Sequence, residues 1–196
     1  IKGSAGHAGY RYSHIYPGHN GNAVNVIEKA QIVLDGVLRL EKEWGRKKFH
    51  DLLPAGITTI NPGVMLAGAG EKDGIPNTIT NPAIVPDHCV IDFDLKYLPT
   101  ENKEDVRREF EEHIKNISLG DPWLIENPPK VEWDLYGLHF PAVNTSLDHP
   151  LVKCIENSQK QLNIRTEYGG FVAVTDAAFY AGHDIPAVIY GPIGEN

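Results

Sequence analysis

Residues 1–30 read IKGSAGHAGYRYSHIYPGHNGNAVNVIEKA. A short strand-like opening passes into a loop crowded with glycine, tyrosine and histidine, and the loop feeds a helix whose start is marked by Gly21, Asn22 and Ala23. Functional side chains concentrate on loops held by rigid elements, and histidine is the side chain most easily poised near neutral pH. A metal cluster of His7, His14 and His19 is not supported, because spacings of seven and five residues match neither a helical HExxH pattern nor a Cys/His finger. His14 and His19 read as solvated loop residues. His7 differs: Gly6, Ala8 and Gly9 around it leave little side-chain bulk to keep a ligand away.

Outward from this loop, Ala23, Val26, Ile27, Ala30, Val33, Leu34, Val37, Leu40 and Trp44 recur at helical spacing as far as about residue 48. Gly36 inside that helix costs about 1 kcal/mol relative to alanine, and it marks either close packing or a tolerated surface position. Residues 58–67 read as a strand that Pro62 confines to an edge or a bulge. Residues 68–82 form a loop rich in glycine, asparagine and proline, within which turn chemistry alone gives Asn77 only a geometric role.

In residues 89–97 an apolar set, Cys89, Ile91, Phe93, Leu95 and Tyr97, alternates with Val90, Asp92, Asp94 and Lys96, which predicts a strand with one apolar and one largely polar face. Lys96 and the two aspartates share a side, either as a solvated charge ladder or as a cleft wall. Thr100 is the expected cap of the next helix, whose buried stripe is Val106, Phe110, Ile114 and Ile117 and whose end is set by Gly120 and Pro122. Glu111 and Glu112 fall on its charged side and read as solvated. Val131, Trp133 and Leu135 alternate as a further strand. The resulting order, strand, helix, strand, strand, helix, strand, is the split βαβ, ferredoxin-like arrangement.

Past residue 144 the character changes. A helix runs through Val152, Ile155 and Leu162, residues 165–168 read as a strand, 174–181 as helical, and 187–190 as a short apolar strand. Strands and helices alternate as in a parallel α/β sheet, although so short a segment cannot cover both faces of such a sheet. The expected fold is therefore α+β: a ferredoxin-like βαββαβ unit over residues 1–143, followed at 144–196 by an incomplete part of an α/β domain.

With 41% hydrophobic and 22% charged residues the chain has the balance of a soluble globular protein. A net charge of −8 argues against a nucleic-acid surface, since phosphate binding needs a concentrated basic stripe. Arg46-Lys47-Lys48 is short and suits a helix end. No apolar run has the length of a membrane span, and the start IKGSAG has no signal core. Cys89 and Cys154, far apart and in apolar surroundings that read as core, favour a reducing cytoplasm over a disulfide framework. The missing initiator methionine and the stop just after a Gly-Pro turn suggest a piece of a longer protein.

Four stretches in order carry a resemblance. Gly3-x-x-Gly6-His7-Ala8-Gly9, with Pro17 and Gly21-Asn22-Ala23, resembles the start of the lid, or dimerisation, domain in the zinc-dependent family of acetylornithine deacetylase, succinyl-diaminopimelate desuccinylase, aminoacylase and carboxypeptidase G. Residues 74–79, around Asn77, are similar to the family's Asn-x-Ile-Pro segment, with Thr80 where proline is usual. Residues 94–99 resemble its Asp-x-Arg-x-x-Pro strand end, with Lys96 replacing arginine. Thr175-Asp176-Ala177, then Gly182, Pro186 and Tyr190-Gly191-Pro192, are similar to its Thr-Asp-Ala-Arg and Gly-Pro stretch, with Ala178 replacing arginine.

The resemblance implies a hydrolase of N-acyl amino acids, small peptides or a similar carbamoyl or formyl amide, using two zinc ions and working as a homodimer through the lid domain. The family's His-x-Asp and strand-terminal Glu-Glu ligand motifs do not occur here, so the zinc ligands are expected outside this chain and the fragment alone is expected to be inactive. His7 would donate a hydrogen bond to the oxyanion formed when water attacks an amide carbonyl in the partner subunit. Asn77 and Lys96 would hold a substrate carboxylate, with Lys96 lacking arginine's bidentate fork. Thr175 and Asp176 would line the pocket from the catalytic-domain side. Two alternatives stay open: a dimerisation and ligand-binding module without catalysis, and an unrelated βαββαβ regulatory domain.

Overall fold

The computed structural model describes residues 1–12, 23–77 and 81–191. In chain order its elements are β1 (Gly6–His7), a 3-10 turn (Ala8–Tyr10), α1 (Val26–Lys47), β2 (Ile60–Gly68), β3 (Glu71–Lys72), β4 (Ile75–Pro76), β5 (Ile84–Val85), β6 (His88–Leu95), α2 (Lys103–Ser118), α3 (Pro122–Glu126), a 3-10 turn (Leu135–Gly137), α4 (Pro150–Gln161) and α5 (Ala177–Ala181). The class is α+β, with small antiparallel sheets and helices packed against them.

β2 and β6 pair antiparallel from Ile60 opposite Leu95 to Gly68 opposite His88. The register shifts between Pro62 and Val64, the bulge that a proline lacking an N–H demands. On the other edge of β6 the N-terminal segment runs antiparallel: Ile1 and Cys89 exchange hydrogen bonds, Lys2 bridges His88, and β1 pairs with β5. Residues 1–7, β6 and β2 thus take the spatial order of first, third and second strands in a βαββαβ unit.

The odd-numbered residues of β6 face the helices as their alternation predicts. Phe93 and Leu95 pack on a core of Val33, Val37, Leu40, Trp44, Ile60, Val106, Phe110, Ile114 and Leu124, while Cys89 joins Val26 and Ala30. Phe110 sits edge-on between the partly buried Phe93 and Trp133, and a buried side chain such as Phe110 contributes roughly 1.5–3 kcal/mol. Gly36 lies where the two long helices cross: a Cβ there would stand 2.2 Å from Cδ1 of Ile117, and its carbonyl meets Nε2 of His113 at 3.0 Å. Close packing is therefore the reason for this glycine.

Several expectations need correction. α1 starts at Val26 with Asn25 as its cap, Val24 being engaged with Ser4; Gly21 and Asn22 lie outside the described residues, as do His14, Pro17, His19, Thr80 and Pro192. Asn102 rather than Thr100 caps α2, its Oδ1 accepting from the N–H groups of Glu104 and Asp105. The expected loop after β2 contains a hairpin, β3–β4, turned by Asp73 and Gly74 at φ 54° and 79°. Asp-Gly is the dipeptide that supplies such a turn.

Residues 131–135 are not a strand. Val131 and Trp133 do pack on the core, but Pro128 and Pro129 remove N–H donors ahead of them, and Asp134 and Tyr136 turn the backbone at φ 54° and 56°. Residues 165–168 and 187–190 likewise form no strand, and the helix expected at 174–181 is confined to α5. Many of the apolar side chains there, among them Tyr168, Phe179, Ile185 and Ile189, stay exposed, and a strand without a neighbouring strand has no ladder to join. Cys154, expected in the core, is exposed; Cys89 is buried.

Candidate functional site

The glycines of the opening motif each answer a close approach. A Cβ on Gly3 would stand 2.4 Å from the carbonyl oxygen of Val24, and one on Gly6 would stand 2.4 Å from Cβ of Ala23. The chain can therefore cross tightly over the start of α1, and this crossing sets where His7 emerges. His7 pairs with Ile84 and is followed by Ala8, whose N–H reaches the carbonyl of Ala83 at 2.7 Å. Its side chain is exposed, its Nδ1 accepts the N–H of Gly9 at 3.0 Å, and its ring meets Tyr10 edge-on at 6.4 Å.

Asn77 is exposed just past β4. Its N–H donates to the carbonyl of Gly70, and a Cβ on Gly68 would lie 1.8 Å from its carbonyl oxygen. A cluster absent from the sequence reading braces this hairpin. Asp87 accepts from the Gly70 N–H at 2.7 Å and lies 2.9 Å from Nδ1 of His88. Burial pushes the Asp87 carboxyl up, but His88 and the Gly70 N–H outweigh it and leave it below its ordinary value. No local spacing signals a cluster that joins residues 70 and 87–88 on two different segments.

Lys96 is half-buried at the opposite end of β6, where its N–H donates to Thr59. About 25 Å of strand separates that end from the β1–β5 pair. Lys96 and Thr175 line one broad groove between the sheet and the later segments; His7, Asn77 and Asp176 do not. Asp176 is exposed ahead of α5, and its side chain caps nothing. Within one chain the five candidates therefore fall into separate groups. The groove also holds Tyr97 and His139, joined at 3.2 Å. Burial raises the Tyr97 hydroxyl, and burial followed by the nearby Lys103 lowers His139. Among the described residues no cluster of histidine, cysteine and carboxylate side chains could hold a metal ion.

Residues 1–122 match the M20 family's peptidase dimerisation domain. The chain belongs to that family. Over 195 residues it is 28% identical to an N-formyl-4-amino-5-aminomethyl-2-methylpyrimidine deformylase of Halalkalibacterium halodurans, covering 95% of this chain and 43% of that protein. A deformylase of the same description from Bacillus subtilis is also 28% identical over 193 residues, with the same coverage of both chains. The chain thus spans less than half the length of the curated relatives it matches. Among solved structures, aminopeptidase PepT from Bacillus cereus ATCC 10987 superposes with a TM-score of 0.53 at 18% identity, over 95% of this chain and 40% of that one. That likeness concerns the fold. Membership removes the alternative of an unrelated regulatory domain, and the relatives are hydrolases. Among the described residues no helix of this dimerisation-domain chain is long and apolar enough to cross a membrane.

Proposed function

We propose that this chain is the lid, residues 1–143, and an incomplete catalytic-domain part, residues 144–196, of a cytoplasmic zinc-dependent amide hydrolase. The observation that carries the reading is His7: an exposed imidazole, anchored through Nδ1 to backbone, whose Nε2 meets no partner among the described residues. Such a group suits donation to the oxyanion that develops as water attacks an amide carbonyl, and one donor of this kind is typically worth about 3 kcal/mol in the transition state. The described residues do not supply a zinc site; zinc belongs to the reading through the family, with its ligands elsewhere in the full-length protein. The fragment alone is then inactive.

The substrate class is an N-acyl amine. N-acyl amino acids and small peptides remain in it, but Lys96 and Ala178 stand where the family's arginines would grip a carboxylate, and both curated relatives are described as deformylases. A formamide of an amine with no carboxylate is therefore the first member to test. Asn77 contacts the substrate beside His7, Lys96 and Thr175 line the pocket from the groove, and Asp176, outside the groove, reaches it from the segment ahead of α5. The separation of these groups in one chain supports a homodimer in which each lid serves its partner. β2 pairs only with β6 among the described strands and exposes Val64, Met65 and Leu66, an edge able to meet a second copy.

The deciding experiment is His7→Ala in the full-length enzyme. Turnover is expected to fall by about 100- to 1000-fold with zinc content and folding intact; unchanged turnover removes the oxyanion role and leaves the second reading, a dimerisation and ligand-binding module. Sedimentation as a monomer at high concentration would remove the homodimer.

A further inference from the structure

We infer that Gly9 is a positioning residue that selects the tautomer of His7; the inference rests on the oxyanion reading above. A backbone amide has one hydrogen, and the Gly9 hydrogen points at Nδ1 of His7 over 3.0 Å. Nδ1 must then present its lone pair, so the neutral ring carries its proton on Nε2. The backbone thereby turns the outward nitrogen into a donor. The opposite tautomer would set two hydrogens against each other and aim an acceptor lone pair at the substrate carbonyl.

The same residue also sets the ring's place. His7 occupies the cap position of the 3-10 turn Ala8–Tyr10, with extended backbone at φ −112° and ψ 132°, so the amide two residues on folds back towards its own side chain. A Cβ on Gly9 would stand 3.0 Å from Nδ1 and 3.3 Å from Cε1, so any larger residue would make the ring give way by a few tenths of an ångström; where leucine takes this place, after His50 and His149, the same contact lengthens to 3.2 Å. Nδ1 and Cε1 are ring atoms of the group that has to be aimed. Gly9 therefore has two separable properties, an N–H that chooses the proton's position and an absent side chain that leaves the ring undisplaced at 3.0 Å. Neither property requires contact between Gly9 and substrate.

The test uses the full-length enzyme with 15N-labelled histidine, the His7 signals being assigned by their loss in His7→Ala. Wild type is expected to show an unprotonated Nδ1 and a protonated Nε2. Gly9→Ala keeps the N–H but displaces the ring, and Gly9→Pro removes the N–H. Gly9→Pro is expected to populate the Nδ1–H form and to lower kcat by about tenfold to a hundredfold with KM nearly unchanged, whereas Gly9→Ala is expected to keep the Nε2–H form with a smaller loss of kcat. A merely structural glycine would not move the tautomer. A wild-type ring protonated on Nδ1, or a folded Gly9→Pro with wild-type tautomer and kcat, overturns the inference. If His7→Ala turns over normally, the oxyanion reading falls and the kinetic half of this inference with it, whereas the imidazole spectrum still decides the lock.

Discussion

Asp121 ties the start of α3 to α1, and replacing it by alanine removes two kinds of contact together. Its Oδ1 accepts from the N–H groups of Trp123 and Leu124, each at 3.0 Å, which caps α3. Its Oδ2 meets Nζ of Lys29 on α1 at 2.6 Å, with the two side chains only 12% and 19% exposed. Loss of a cap costs about 1 kcal/mol, and a hydrogen bond to a charged group about 1.5–3 kcal/mol. Asp121→Ala is thus expected to destabilise by about 3 kcal/mol, or about 6–12 °C in Tm for a chain of this size. Asp121→Asn keeps the cap oxygen and is expected to cost about 2 kcal/mol.

Urea unfolding followed by tryptophan fluorescence measures both, and a cycle with Lys29→Met isolates the pair. The pair also has a pH signature. Burial raises the Asp121 carboxyl, but Lys29 and the two amides outweigh it, so the native group titrates below its ordinary 3.8. As pH falls, the unfolded chain takes up this proton first. The contribution is therefore complete above that value and drains away as pH drops below it towards the native pKa. An Asp121→Ala protein within 0.5 kcal/mol of wild type, or zero coupling with Lys29→Met, refutes this account.

Gly36→Ala places a methyl 2.2 Å from Cδ1 of Ile117; overpacking outweighs the gain in helix propensity, for a net loss of about 1–2 kcal/mol. Adding Ile117→Val, which deletes that Cδ1, is expected to return about half of it in urea titrations, and no rescue counts against a steric cause. Burial, with Lys103 beside it, holds His139 below 6.5, so the unfolded chain binds this proton first and the stability it confers declines as pH falls below 6.5. His139→Gln is expected to flatten the loss of Tm between pH 7 and 5; an unchanged slope refutes the assignment.

Periodicity carried the long elements. The alternation over residues 89–97 told which face of β6 is buried, Pro62 announced the bulge in β2, and the apolar stripes of α1 and α2 named most of the core, because period and burial are properties of a single segment. The opening glycines were legible as a motif, although their reason, tight passage over the start of α1, is a contact between segments. Thr100 was the cap expected for α2, and the backbone geometry gives that place to Asn102, two residues later.

Pairing could not be read in this way. Residues 131–135 have a strand's alternation and present Val131 and Trp133 to the core, yet two prolines and two positive-φ residues keep them off the ladder. Alternation records which side of a segment is apolar, whereas a strand exists only where another backbone stands at hydrogen-bonding distance. The same holds for the candidate site. Residue types marked His7, Asn77, Lys96, Thr175 and Asp176, but their separation, with Lys96 and Thr175 in the groove and the other three outside it, and the Gly9 amide that orients His7, are facts of chain path. Composition and spacing determine what a side chain is able to do; the folded backbone determines which atom it faces.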